Sequence, residues 1–393
     1  MYSQYNVLPN RLSFSPVYSV KPASVSSLWF MLHTLPDPRR PQGIRHELPV
    51  VLLLAILALC CGYTSYQGMH EWSINYQSML VEQFSFLSKH TPDATTFYRV
   101  FSRLDVEAFE EILGNWLQQI MPLEDGEGIA IDGKTISGTG VHLVSAFTHK
   151  MQAVLFEMGT DIKGKELVVG PKVIEHIPVK DHVITGDAMF TQKKICEQIV
   201  KKKGGYVFTV KGNQEKLEEN IRFFFRDIPF QTIVETNTTI DWWKGRKEKR
   251  TVRMSSDAQI LSYLAWPGIT HVWECNREVV KNGTTTTEIA VGVARLLPAF
   301  ATADKLNQYI REHWSIENGL HRTRDVQFHE DKATIRNKSA AQIMAALKNI
   351  VISIFHRSTV RAIPTATRRF ASHPEELFGL LGLQEVQKAY VYA

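Results

Sequence analysis

Residues 129–138 read IAIDGKTISG, and the fold can be read outward from them. Ile129, Ala130 and Ile131 lead into Asp132. Gly133 and Lys134 follow, and Thr135 and Ile136 resume the apolar pattern. β-Branched residues on both sides favour a buried strand. A carboxylate inside such a strand costs free energy unless a cation, a metal ion or an open cleft relieves it. Gly133 lets another group approach the backbone closely. On this stretch alone, an Asp that caps a turn at the strand end is as good an account as a functional carboxylate.

The chain has 393 residues, 44% of them hydrophobic, enough for a large core and two or three domains. Its net charge of +5 says little about partners. The distribution says more: residues 191–253 hold 15 Lys plus Arg against 8 Asp plus Glu. Such an excess fits a phosphate-facing surface or a solvated Lys-rich helix face. Cys60, Cys61, Cys196 and Cys275 form no CxxC pair, which excludes a zinc site or disulfide framework and fits a reducing cytoplasm. The start of the chain lacks the pattern of a secretory leader. The longest apolar run, residues 48–61, is shorter than the roughly 20 residues a membrane span needs. It reads as a buried helix, and no membrane association is expected.

Residues 1–29 show no period and read as an irregular arm. Residues 30–122 read as an all-helical domain. It holds helices over 48–72, broken near Gly62, and over 76–88, and one starting with Thr91 as cap and Pro92 in the first turn. The character changes at 123. Strands are expected at 128–136, 142–148, 152–158, 182–186 and 206–210, with a helix over 191–203 capped by Thr191. Residues 214–300 read as a β-rich insertion after a first helix, with Asn282-Gly283 marking a hairpin. A long helix is expected over 303–324 and a last one over 338–357. Residues 123–213 with 301–360 thus read as one α/β unit, and a tail follows from 361.

Asp132 belongs to the first strand, Asp187 follows a later one, and Glu317 lies on the long helix. At 100° per residue, His313, Glu317, Leu320 and Arg324 share one stripe. That stripe is either a surface ion-pair ladder of little worth or a metal-binding carboxylate flanked by phosphate-gripping cations. Two strands delivering an Asp each, joined by a helical Glu, can hold two divalent cations. Oxygen ligands suit Mg²⁺ or Mn²⁺. Two such ions about 4 Å apart serve phosphodiester displacement without a side-chain nucleophile.

The segments IAIDGKTISG, VITGDAMFTQKKI, YVFTVKGNQ and REHWSIENGLHRTRDVQFHED occur in this order. Together with DPRR, the apolar helix after it and TTFYRVFSRLD, they resemble the H-repeat-associated insertion-sequence transposases, a branch of the DDE transposases. The resemblance implies an α/β fold: a ribonuclease H-like mixed sheet with flanking helices, interrupted by a β-rich insertion and preceded by an all-helical domain. It implies Asp132, Asp187 and Glu317 as catalytic and metal-binding residues for two Mg²⁺ or Mn²⁺ ions. It also implies double-stranded DNA as partner, cleavage at terminal inverted repeats, strand transfer, and a homodimer on DNA in a bacterial cytoplasm. In the wider class a Tyr, then an Arg four before the Glu, and a Lys or Arg seven after it complete the signature. Arg324 fits the last position, whereas His313 and Ile310 stand in the other two.

The residues expected to contact DNA are Lys134, Lys211, Asn213, Trp242, Trp243, Lys244, Arg246, His313 and Arg324. The aromatic, basic turn at 241–247 suits nucleic acid or is a hairpin tip with packed Trp. Asp325, Glu330 and Asp331 compete with Glu317 for the third carboxylate. A domesticated or inactive DNA-binding copy, and a metal nuclease without strand transfer, remain the competing functions.

Overall fold

The computed structural model describes residues 27–383 except 43, 84–89, 138, 161–165, 244, 359 and 361. Nearly all of the expected N-terminal arm lies outside the described residues. Six helices come first: α1 (Leu28–His33), α2 (Leu48–Cys60), α3 (Tyr66–Asn75), α4 (Gln77–Gln83), α5 (Ala94–Phe101) and α6 (Val106–Ile120). All 13 residues of α2 are buried, as befits a helix that is apolar on every side. The start of α5 differs from expectation. Asp93 rather than Thr91 is its cap, and its carboxylate accepts from the Thr96 N–H at 2.7 Å.

The strands follow as β1 (Gly128–Ile136), β2 (Val141–Thr148) and β3 (Val154–Thr160). After them come α7 (Glu166–His176), β4 (Val183–Gly186), α8 (Lys193–Lys201), β5 (Gly205–Val210) and α9 (Glu215–Arg226). Thr191 does not cap α8. Its hydroxyl donates to the Thr209 carbonyl at 2.6 Å, and Gln192 stands at the cap. The second half is β6 (Glu235–Trp243), β7 (Arg246–Ser255), α10 (Ala258–Leu264), β8 (His271–Lys281), β9 (Thr284–Arg295) and α11 (Ala303–His313). Asn282 and Gly283 turn the β8–β9 hairpin, both with positive φ, as the two-residue loop requires.

Among the described residues nine strands form one sheet in the order β3-β2-β1-β4-β5-β9-β8-β7-β6. The meander β1–β3 is antiparallel, and β4 and β5 join β1 in parallel. This is the expected ribonuclease H-like core. The β-rich stretch does not build a sheet of its own. Strand β9 pairs with β5 and so covers what would be an open edge.

Strand alternation sorts the two faces of β1. Ile129 and Ile131 pack with α7, α8 and α9 residues, while Ala130 packs with Ile316, Leu320 and the helical core. Asp132 shares the face of Ala130, because side chains two apart on a strand point the same way. The helix expected over 303–324 is not continuous. After α11 ends at His313, a π-helical turn spans Ile316–His321, and α12 (Arg322–Val326) follows.

The last long helix, α13 (Lys338–Arg357), matches expectation. It contacts β3 on one side and α2, α5 and α6 on the other, so the N-terminal helices and the sheet share one apolar core. By length and composition α13 would cross a membrane, but 83% of its apolar window is buried in the fold. The tail forms α14 (Ile363–Ser372) and α15 (Glu376–Leu380), which close the same core.

Candidate active site

Three elements far apart in sequence deliver the carboxylates. Asp132 sits in the middle of β1, its side chain only 14% exposed, with Oδ1 accepting from the Gly133 N–H at 2.8 Å. Ile131 of β1 pairs with Gly186 of β4, so Asp187, the next residue, ends the neighbouring parallel strand beside Asp132. Glu317 comes from the π-turn and is about half exposed. Extra residues in a helical turn of this kind recur at functional sites, where they redirect side chains.

His321, four residues after Glu317, closes the group. Its Nδ1 lies 3.6 Å from Asp132 Oδ2 and 3.5 Å from Glu317 Oε2, and the ring is buried. Asp132, Glu317 and His321 offer ligand atoms that all lie within 4.8 Å of one another. Two carboxylates and an imidazole converging in a half-open site fit a divalent cation.

Charge and burial set the proton affinities apart. Burial pushes the Asp132 carboxyl up to about 6, against the opposing pull of His321 and the Gly133 N–H. Glu317 is held below the usual carboxylate range, first by His321, and its exposure leaves burial the smaller effect. Asp187 is likewise held low, first by His313, whose Nε2 lies 3.5 Å from Oδ1, and further by Lys211. His313 is positioned in turn by Thr185, whose hydroxyl lies 3.0 Å from Nδ1. The same hydroxyl is 2.9 Å from Nε2 of the buried His149.

The raised Asp132 predicts a stability effect. A carboxyl whose folded pKa lies above the unfolded value of about 4 stabilises the fold only while protonated, and that contribution is lost as pH rises through about 6. Asp132→Asn should therefore raise the stability of the metal-free protein at pH 7.5 by about 1–3 kcal/mol. The gain should vanish below about pH 4. Thermal denaturation with a chelator at the two pH values checks this.

The nominated DNA contacts divide. Lys134 is not free. Its Nζ donates to both carboxylate oxygens of Asp325 at 2.6 and 2.7 Å, which also removes Asp325 as a rival third carboxylate. Arg324 is fully buried and is no DNA contact. Its Nη1 donates to Glu157 at 2.6 Å and its Nε to Glu330 at 2.8 Å, and Lys348 reaches Glu330 at 3.4 Å. The stripe on an unbroken helix fails here because the π-turn shifts the phase and turns Arg324 inward. The same ion pairs take Glu330 into the core.

Lys211 and Asn213 lie at the end of β5. The Asn213 amide donates to the Ala188 carbonyl at 2.6 Å and so braces the turn after Asp187. Lys211 is exposed. Trp242 is exposed on the edge strand β6, with Lys247 Nζ 5.1 Å from its ring centre. Arg246 pairs with Glu248. Lys244 and the Trp243 side chain lie outside the described residues. In the turn-rich segment before α2, Arg39 bonds Asp37 at 2.6 Å and the His46 carbonyl at 2.8 Å, so it folds the loop.

Beside Asp187 a cleft of about 90 Å³ opens between the sheet and α11, lined by Lys211, Arg250, Arg277, His313 and Trp314. Arg250 is buried, and its Nε and Nη1 have no hydrogen-bond partner among the described residues. His321, His149, Thr185 and Arg250 were not singled out from sequence. Four-residue spacing from Glu317 was a visible signal for His321, whereas the others carry none that is local.

Residues 123–354 match the family model described as a transposase DDE domain, and residues 29–117 match the model described as DDE_Tnp_1-associated. The chain is 30% identical over 343 residues to "Putative transposase YncI" of Escherichia coli O157:H7, covering 84% of this chain and 87% of that one. It is 29% identical over 344 residues to "H repeat-associated putative transposase YhhI" of Escherichia coli strain K12, covering 83% and 89%. "Putative protein YbfL" of the same strain is 30% identical over 344 residues.

Proposed function

The chain belongs to the DDE transposase family, and from that premise we propose that it cuts double-stranded DNA at the terminal inverted repeats of an insertion sequence and joins the freed ends to target DNA. Asp132, Asp187 and Glu317 are the catalytic carboxylates, holding two divalent cations, Mg²⁺ or Mn²⁺. Such ions, when bound, activate the attacking oxygen and stabilise the leaving one. The observation that carries this reading is the convergence of Asp132 and Glu317, 185 residues apart in the chain, with Asp187 on the strand beside them.

The chain's own groups then have defined tasks. Asp132 and Asp187 are anchored on paired strands, so their separation is set by the sheet. Glu317 completes the site from a turn braced by Lys134–Asp325 and by Arg324. His313 holds Asp187 and faces the cleft, where a phosphodiester would lie. Lys211 and Trp242 supply an exposed charge and an exposed aromatic face for DNA, and Arg246, paired with Glu248, is half-buried on the same hairpin as Trp242. A homodimer on DNA, acting in a bacterial cytoplasm, brings two ends together.

The test is cleavage of a supercoiled plasmid carrying the gene's native flanks, with Mg²⁺ or Mn²⁺ and with a chelator. Metal-dependent cuts at the flanks are expected. A gel shift of the same DNA without any cut favours the inactive, DNA-binding copy. Lys211→Gln should weaken binding of all sequences alike and reduce the slope of log affinity against log salt by about 1. Fluorescence anisotropy across a salt series measures it.

A further inference from the structure

We propose that His321 is itself a ligand, through Nδ1, of the divalent cation held between Asp132 and Glu317, and that this nitrogen biases the site toward Mn²⁺ over Mg²⁺. The proposal rests on the reading above that Asp132 and Glu317 hold a metal.

The ring is 5% exposed, so it is not in place for contact with solvent. Its Nδ1 points at both carboxylates yet stands 3.6 and 3.5 Å from them, longer than a normal N–H···O bond. Nε2 has no hydrogen-bond partner among the described residues. Ligation would engage Nδ1, which makes no hydrogen bond of ordinary length to either carboxylate, and leaves the proton on Nε2. The spacing fits that role. Adjacent ligand atoms on an octahedral ion with bonds of roughly 2.1 Å lie about 3 Å apart. The separations from His321 to Asp132 and to Glu317 each exceed that by about half an ångström, so small shifts of both carboxylates toward the ring would seat the ion.

The donor set has a chemical consequence. Mg²⁺ demands oxygen ligands and gives up water reluctantly, so it gains little from imidazole. First-row transition ions accept nitrogen more readily. One carboxylate on β1, one on the π-turn and one imidazole on the same turn make a mixed oxygen–nitrogen corner. The second Asp, Asp187 just after β4, is left to a neighbouring position with His313 against it.

The experiment uses the full chain without DNA, titrated with Mn²⁺ and followed by pulsed electron paramagnetic resonance, which reads ¹⁴N coupling from a directly bound imidazole. Wild type should show that coupling, and Mg²⁺ should displace Mn²⁺ only in large excess. His321→Asn should still bind Mn²⁺, lose the nitrogen coupling, and narrow the Mn²⁺ over Mg²⁺ preference by about tenfold. Mn²⁺ bound to wild type without nitrogen coupling overturns the proposal, and so does coupling that survives in His321→Asn. If Asp132→Asn and Glu317→Gln leave Mn²⁺ binding unchanged, the metal site itself is misassigned, and the reading it rests on fails with it. Absence of nitrogen coupling in wild type overturns the proposal even if a variant folds poorly.

Discussion

Asp187→Asn is expected to abolish strand cleavage while binding of the same DNA persists. The substitution keeps the shape of the side chain and removes its charge. Asp187 is more than half exposed at the mouth of the cleft, so nothing in the core depends on it. Under the proposed role of Asp187 as a metal ligand, its loss removes several kcal/mol of transition-state stabilisation, or about three orders of magnitude in rate. Gel shift and plasmid cleavage, run on one preparation, separate the two properties. Loss of binding together with cleavage would assign Asp187 a folding role and sink the carboxylate triad.

Arg324→Met is expected to destabilise the whole protein by about 3–5 kcal/mol. The side chain has no exposure and neutralises Glu157 and Glu330, each nearly as buried. Removing it strands Glu157, whose Oε1 has no hydrogen-bond partner among the described residues. Glu110 lies beside Glu157, with burial and that neighbour both raising its pKa, so the pocket cannot absorb another negative charge. The expected readout is a lower urea midpoint at neutral pH. Adding Glu157→Gln to Arg324→Met should recover part of the loss, because the stranded charge goes with it. A neutral result for the single variant would mean that the network is not closed as described. Since α12 carries Arg324 directly after the π-turn, cleavage should fall too, by displacement of Glu317 and not by lost DNA contact.

Much of this molecule was legible in its sequence. Strands β1, β2, β4 and β5 and helix α13 stand where alternating or helical apolar patterns place them, because burial against a core leaves a local period in the chain. The four ordered segments led to the family, and the family to Asp132, Asp187 and Glu317. The turn at Asn282-Gly283 was readable for the same reason, since only residues tolerant of positive φ fit it.

What stayed hidden was every assignment that depends on a partner far away in the chain. Arg324 looks like a phosphate ligand by its spacing from Glu317, but Glu157, 167 residues earlier, claims it. Lys134, two residues after Asp132 on the same strand, is claimed by Asp325, 191 residues later. A cation's spacing along a helix says which way it would point on an ideal helix. It does not say whether a carboxylate waits in the core or whether a π-turn has shifted the phase. The place of the β-rich stretch was hidden likewise, because a strand's pattern reveals its faces but not the edge it will pair with. Local periodicity and motif order determined the fold class and nominated the carboxylates. Only the tertiary structure, by bringing distant charges into one low-dielectric space, decided which cations brace the site and added His321 to it.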